Sequence, residues 1–297
     1  MIHSSLIVAF AALLTIVHGH YTFIRLAVNG KWHAPLQYVR NHTDGYWEDK
    51  TPGGYSNRAR EYTWWVVPSD RPESMRCGRD NMAWANKTEV LNVRAGDQIE
   101  FAHLEANPYQ WTDVNFNCAD GRGTCNDPTI FPFYTSYPYF HPGPVVVHIS
   151  KVPDGKEVQS YDGSGEHTLG LTAPNGKSQH FGWLPRNDTN GYGAEAVSGR
   201  IIFTLPKETP KGQYLLRAAS VWHAQQYTYQ GVTERREGQL YHSCAQINVD
   251  SDIIGSLPKG MTVSDLMGEN MKVDDGYEYP GGQLWDGKEF HEDKPKL

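Results

Sequence analysis

His20 is the residue whose chemistry most distinguishes this sequence, because it is predicted to become the first residue of the mature chain. Residues 1–19 have the pattern of a secretory signal, with an apolar run from Leu6 to Val17 and small residues at Val17 and Gly19. Cleavage after Gly19 would free both the α-amine and the imidazole of His20, which titrate near ~8 and ~6.5. His20 is therefore a candidate metal chelator, although most chain termini are merely frayed.

Two further segments carry side chains that could complete a metal site. His141 lies at a turn stiffened by two prolines, His141-Pro142-Gly143-Pro144, which leads into an apolar strand. Gln239 and Tyr241 share one face of a later strand, because alternate residues of a strand point the same way. The amine and two imidazoles would form a T of three nitrogens with the Tyr241 hydroxyl along the axis. Such a planar set suits Cu(II) better than zinc, which prefers a tetrahedron.

A different cleavage site would give a different copper site. Cleavage before His18 would start the chain with His18-Gly19-His20, in which a histidine at the third position binds Cu(II) through backbone amides in a square plane. Val17 is a poorer residue than Gly19 at the cleaved bond, so the sequence favours cleavage after Gly19.

Short strands are predicted to position these side chains. Apolar and polar residues alternate between stretches rich in Gly, Pro, Asn and Asp, and the chain holds 29 Gly and 18 Pro. This pattern predicts strands at Tyr21–Val28, Glu89–Val93, Gln98–Leu104, Val145–Ser150, Gly199–Leu205, Gln213–Trp222 and Gln239–Val249. Amphipathic helices are scarce, so we predict an all-β fold, a β-sandwich with long loops.

Long loops and an acidic tail interrupt the strand pattern. Residues 29–86 and 108–139 are predicted loops, and the second is dense in aromatic residues. These aromatics could form a local packed cluster or a surface on which sugar rings stack. We predict a copper-site domain over residues 20–250 and an extension over residues 251–297. The extension has ten acidic and five basic residues and no cysteine, so it is not a small disulfide-stapled carbohydrate-binding module.

Charge and cysteine content restrict the partners and the compartment. The net charge of −7 argues against nucleic acid or a membrane surface as a partner. Four cysteines in a secreted chain predict two disulfides, for which three pairings exist. Cys118 and Cys125 are close enough for a local staple, which would leave Cys77 and Cys244 to join distant parts of the chain.

Three sequons fit a secreted glycoprotein. Asn41, Asn86 and Asn187 each begin an Asn-x-Thr sequence. The pattern is short and has a high false-positive rate. The sequons add to the signal pattern and the cysteines in predicting an extracellular protein.

Several short motifs, in this order, resemble one known family. Besides His20 and the His141 turn, they are Met75-Arg76-Cys77, Val93-Arg94-Ala95-Gly96-Asp97, Gly212-Gln213-Tyr214-Leu215-Leu216-Arg217, Gln239-Leu240-Tyr241 and Ser243-Cys244-Ala245-Gln246. Over residues 20–249 the chain is similar to the lytic polysaccharide monooxygenases of auxiliary-activity family 9, formerly glycoside hydrolase family 61. The resemblance implies an immunoglobulin-like or fibronectin-like β-sandwich.

The resemblance also implies roles for individual residues. His20 and His141 would hold one copper ion, with Tyr241 as its axial residue. Gln239 and His223 would be the catalytic partners that hydrogen-bond the activated oxygen species. His242 is an alternative to His223, although as the neighbour of Tyr241 it should point to the opposite face. The resemblance further implies a Cys77–Cys244 disulfide.

The activity implied by this resemblance is oxidative cleavage of a β-linked plant-wall polysaccharide, cellulose or hemicellulose, at C1 and/or C4. Dioxygen or hydrogen peroxide would be the co-substrate, an external electron donor would reduce the copper, and the protein would act as a secreted monomer. A non-catalytic copper-binding protein of the same fold is the alternative hypothesis, because Ala218-Ala219 stands where the family usually has a His-Glu pair. A plain carbohydrate-binding sandwich would leave the terminal histidine unexplained.

Overall fold

Short strands dominate the computed structural model. It describes residues 21–42, 74–105, 111–118, 121, 123–124, 143–164, 168–171, 179–183, 196–197, 201–222, 226–229, 232–235, 239–260 and 283–292. The strands are β1 Tyr21–Val28, β2 Lys31–Trp32, β3 Leu91–Arg94, β4 Gln98–Glu105, β5 Gly143–Lys151, β6 Thr168–Leu171, β7 Gln179–Trp183, β8 Ala196–Val197, β9 Ile201–Thr204, β10 Gly212–Trp222, β11 Gln226–Tyr229, β12 Val232–Arg235, β13 Gln239–Asp250, β14 Gln283–Trp285 and β15 Phe290–Glu292.

Helices are few and short in the described part of the chain. They are α1 Ser74–Cys77, α2 Met82–Ala85, α3 Asp113–Phe116 and a 3₁₀ turn at Val158–Ser160. Within the described ranges, none has the length and apolar character needed to cross a membrane. The strands therefore carry the architecture, and the predicted all-β sandwich is confirmed.

Two sheets form the sandwich. The first has the order β2-β1-β4-β9, and the second the order β15-β14-β6-β5-β10-β13-β3, with β7 paired to β5 and β8 to β7. Strands β11 and β12 make a separate two-stranded ribbon. The long central strands β5, β10 and β13 pair antiparallel, so their register decides which ends of these strands lie together.

The seven predicted strands all occur, and their observed ends differ from the predicted ones by at most two residues. Strand β2 was missed inside a predicted loop. Its signal is the Asn29-Gly30 turn after β1, where both residues have positive φ, 49° and 79°, as a tight hairpin requires. Strands β6, β7, β14 and β15 are also short, and alternation over so few residues is a weak signal.

The core lies between the two sheets. It includes the fully buried rings of Phe23, Phe101 and Tyr214 together with aliphatic residues of β5, β10 and β13. Strand β1 is buried on its other face too, because Ile24 packs there against Trp111 and other residues of the neighbouring loops. A register shift after Phe23 interrupts the alternation at this point.

Helix α1 is attached to the outer face of the second sheet. The Arg217 guanidinium donates to the backbone oxygens of Arg76, at 2.8 Å, and Met75, at 3.1 Å. A disulfide joins Cys77 of α1 to Cys244 of β13. The hydrogen bonds provide acceptors for the buried guanidinium of Arg217. Together with the disulfide they hold a single helical turn that could not be stable alone.

Part of the acidic extension is built into the second sheet. Strand β14 pairs in parallel with β6 and antiparallel with β15. Leu284 and Trp285 are buried, and Trp285 belongs to the main core. In the turn, the Asp286 carboxylate accepts the backbone N–H groups of Lys288 and Glu289. Residues 283–292 are therefore a structural part of the sandwich.

Candidate copper centre

Tyr241 lies at the centre of the candidate site. It is the third residue of β13, and only 1% of its surface is exposed. Its ring stacks on that of Tyr21, with centroids 4.5 Å apart and planes inclined by 16°. Because Tyr21 directly follows His20 in the chain, this contact brings the start of β1 to the predicted axial tyrosine.

Strand register brings the other predicted segments to the same end of the sandwich. Tyr241 pairs with Ser220 of β10, which in turn pairs with Val145 of β5. Gln239 pairs with Trp222, the last residue of β10. His141 comes two residues before β5, and His223 directly follows β10, so both are joined to strand ends beside Tyr241.

The predicted donors are only partly within the described residues. His20, His141 and His223 lie outside them, and for Gln239 the backbone pairing alone is described. The residues that flank these donors belong to one end of the sandwich, and a buried phenol lies there. Two imidazoles, an amine and a phenol form a set of donors that suits Cu(II). The types of donor predicted for this end of the sandwich therefore fit a copper ion.

His242 lies on the opposite face of β13 from Tyr241. Its Nε2 is 2.7 Å from the backbone oxygen of Ser74, and its ring is parallel to that of His42 at 6.5 Å. Burial, the charge of Arg217 and His42 lower the pKa of His242 well below its usual value. His242 therefore supports α1 and is not a substitute for His223 beside Tyr241.

His148 also faces away from the candidate site. Its Nδ1 is 3.3 Å from the Arg217 guanidinium. Burial and the charge of Arg217 lower its pKa well below the usual value, against a smaller effect of a hydrogen bond that raises it. A neutral imidazole can accept from the guanidinium. His148 thus has a packing role on the outer face.

The sequence also matches a known family. The model of Auxiliary Activity family 9 (formerly GH61) matches residues 20–275, which is most of the chain. This chain belongs to that family. Members of the family are lytic polysaccharide monooxygenases, which are copper-dependent oxidoreductases, and the protein is an enzyme of this class.

Individual relatives agree with the family match. AA9 family lytic polysaccharide monooxygenase G of Aspergillus tamarii is 27% identical over 290 residues, covering 93% of this chain and 69% of the relative. Monooxygenase H of Malbranchea cinnamomea is 26% identical over 287 residues, covering 93% of this chain and 96% of the relative. The solved structure of CvAA9A covers 91% of this chain and 100% of its own, at 17% identity and a TM-score of 0.51. That structural likeness shows the fold.

The disulfides of this family member involve all its described cysteines. Cys77 and Cys244 are bonded, with Cα atoms 5.1 Å apart. Cys118 is also disulfide-bonded. Cys125, its predicted partner, lies outside the described residues. The long-range bond joins α1 to the same strand that carries Tyr241.

Two of the three sequons fall within the described residues. Asn86 is exposed at the end of α2. Asn41 is half-buried, and its side-chain oxygen accepts the backbone N–H of His42 at 2.9 Å. Asn187 lies outside the described residues. Of the two described asparagines, Asn86 is the more accessible to a glycan.

Sequence reasoning did not assign Tyr21 to the site. Tyr21 follows His20 on a predicted strand, but the alternation of apolar and polar residues along a strand does not indicate which ring packs against it from the other sheet. The stack on Tyr241 links β1 of the first sheet to β13 of the second. Tyr21 is therefore a neighbour of the predicted axial tyrosine that only the folded chain identifies.

Proposed function

We propose that this enzyme is secreted and cleaves a β-linked plant-wall polysaccharide, cellulose first and hemicellulose second, by oxidation at C1 and/or C4. The observation that carries the proposal is the convergence at Tyr241. The Tyr21 stack and the register through Ser220 to Val145 bring together the strand ends next to His20, His141, His223 and Gln239. The names of the relatives support the same activity.

In this proposal, His20 and His141 hold the copper ion. The α-amine and imidazole of His20 and the imidazole of His141 would provide three nitrogens, and the Tyr241 hydroxyl would be a further donor beside them. Bound copper would supply one-electron chemistry toward dioxygen or hydrogen peroxide after reduction by an external donor. The ring of Tyr241 is buried, so it would exclude water from its own side of the copper site.

Gln239 and His223 orient the co-substrate by hydrogen bonds. Gln239 pairs with Trp222, which immediately precedes His223 in the chain, and this pairing supports a joint role for the two residues. Hydrogen bonds from such neighbours tune the reactivity at a metal and orient what binds there. The sugar hydroxylated at C1 or C4 would then lose its glycosidic bond.

Secretion follows from the same proposal, because a copper-binding terminal histidine needs removal of residues 1–19. N-terminal sequencing of the secreted protein should give His20-Tyr21-Thr22. A start at His18 would replace the proposed site by a copper-binding tail. An intact leader on the active protein would contradict the proposal.

The decisive experiment is product analysis on insoluble substrate. The mature protein, loaded with one equivalent of Cu(II), is incubated with ascorbate and either cellulose or xylan, and soluble products are analysed by mass spectrometry. We expect aldonic-acid or C4-oxidised oligosaccharides that require both copper and ascorbate. The matched control is the same protein with one extra residue before His20, which should lose both tight copper binding and products.

Two outcomes would contradict the proposed function. Tight copper binding without oxidised products on any wall polymer would favour the non-catalytic copper-binding protein. Activity retained by the control with an extended terminus would contradict the proposed role of the His20 amine.

A further inference from the structure

We infer that Tyr21 is a positioning residue of the copper centre, which sets the plane of the Tyr241 ring and the place where the chain leaves β1 toward His20. The inference rests on the proposed function and goes beyond it in assigning a role to a residue that is not itself a ligand. Its basis is the parallel stack of the two rings, 4.5 Å between centroids.

The ring of Tyr21 is held in one orientation by its neighbours. The ring of His103 lies edge-on at 5.3 Å and 75°, and that of Phe23 lies edge-on at 5.8 Å and 78°. Tyr21 is only 1% exposed. Because two rings pack edge-on against Tyr21 and Tyr241 packs on its face, the ring of Tyr21 can adopt only one orientation. It can therefore fix the orientation of the Tyr241 ring on which it stacks.

The backbone beside Tyr21 is fixed to the same two sheets. Thr22 pairs with Leu104 of β4, and its hydroxyl oxygen lies 3.3 Å from that of Ser243 in β13. Thus residues 21 and 22 each contact β13, at positions 241 and 243. These contacts fix the backbone of the two residues that follow His20 in the chain.

The hydroxyl of Tyr21 has a smaller part in this role than its ring. Burial raises the pKa of Tyr21, and the nearby Ser220 hydroxyl partly offsets the rise. Tyr21 therefore remains a neutral phenol. Ser220 pairs with Tyr241 in the sheet, and the flat ring of Tyr21 provides the contact with Tyr241.

A purely structural role needs apolar bulk at position 21, whereas a positioning role needs a flat ring. Tyr21→Phe keeps the ring, and Tyr21→Leu keeps apolar bulk without it. The matched control is Phe101→Leu, which removes a buried ring of the same sheet that stacks on Phe203 at 18°. Phe101 is a residue of the main core whose ring packs on those of Phe23 and Phe203.

The readouts are the electron paramagnetic resonance spectrum of Cu(II) in the mature protein and the copper dissociation constant from calorimetry. We expect the Phe variant to match the native spectrum and to bind copper within about twofold of native affinity. The Leu variant should show altered copper hyperfine splitting and about tenfold weaker binding, at the lower end of losses caused by residues that orient metal ligands. Phe101→Leu should lower the melting temperature but leave both copper readouts unchanged.

The outcomes separate this inference from the proposed function. A folded Tyr21→Leu variant with native spectrum and affinity would overturn the inference alone, as would equal changes in Phe101→Leu. If the Leu variant does not fold, Tyr21→Met, which has a longer and more adaptable apolar side chain but no ring, gives the same comparison. A native mature protein that binds no copper would overturn the proposed function and this inference with it.

Discussion

Trp285 offers the sharpest test of the view that residues 283–292 stabilise the sandwich. Trp285 is 3% exposed and Leu284 beside it is fully buried. Both lie on β14, which pairs with β6 at the edge of the second sheet. The family match ends at residue 275, so this strand lies beyond the shared pattern.

The expected cost of Trp285→Ala follows from its burial. Removing a buried tryptophan side chain costs about 3–5 kcal/mol, since apolar contact is lost and the cavity fills only in part. The matched control is Phe290→Ala on the paired strand β15, because Phe290 is 39% exposed. A ring that is exposed to this extent should cost at most about 1.5 kcal/mol, within the range for partial burial.

The assay is urea unfolding of the secreted full chain at pH 7, followed by circular dichroism. Trp285→Ala should lower the midpoint with little change in slope, because the native fold is kept but destabilised. Deletion of residues 283–297 should destabilise the chain at least as much, since it also uncovers the edge of β6. A cost below about 1 kcal/mol for Trp285→Ala, or one equal to that of Phe290→Ala, would refute the reasoning from burial.

Three further predictions concern the stability of the sandwich. Replacing Cys77 and Cys244 together by Ser should lower the free energy of unfolding by about 5 kcal/mol, because in the chain-entropy model the disulfide restricts an unfolded loop with a sequence separation of 167. An unchanged urea midpoint under non-reducing conditions would contradict this. Burial above all lowers the pKa of His42 to about 3, so below about pH 6.5 the unfolded chain takes up a proton there that the folded chain does not. Between pH 5.5 and 4.5, stability should therefore fall about 1.3 kcal/mol per pH unit more steeply in the native protein than in His42→Gln. Parallel slopes in urea titrations would rule this out. Arg40 is fully buried and donates hydrogen bonds to three oxygen acceptors, so Arg40→Met should lower the free energy of unfolding by about 2–5 kcal/mol by leaving these acceptors unpaired. The control Arg94→Met, at an exposed position, should change the urea midpoint little, and equal effects of the two variants would refute the argument.

The longest strands were predictable because they carry their own signals. Strand β1 begins and ends where the sequence predicted, since a run of β-branched and aromatic residues stops at Asn29-Gly30. Strands β10 and β13 are likewise long, with eleven and twelve residues rich in apolar side chains. Strand β14 has three residues and pairs with β6, more than a hundred residues away, so no local pattern could reveal it.

The candidate site was predictable in its types of donor but less so in its surroundings. An α-amine, imidazoles and a phenol suggest copper wherever they meet. For His242, strand alternation predicted the face opposite Tyr241, and the structure agrees, with its Nε2 near Ser74. His20, His141 and His223 remain predictions as copper-site residues.

By itself, the sequence determined the family, the all-β class and the residue types available for copper, because motifs, alternation and side-chain chemistry are local properties. Only the tertiary structure decided that Tyr21 lies against Tyr241, that Arg217 holds α1 on the outer face, and that Trp285 enters the core. These contacts depend on strand register and on the packing of one sheet against another. Register brings together residues that are remote in sequence, and no local pattern encodes which of them will meet.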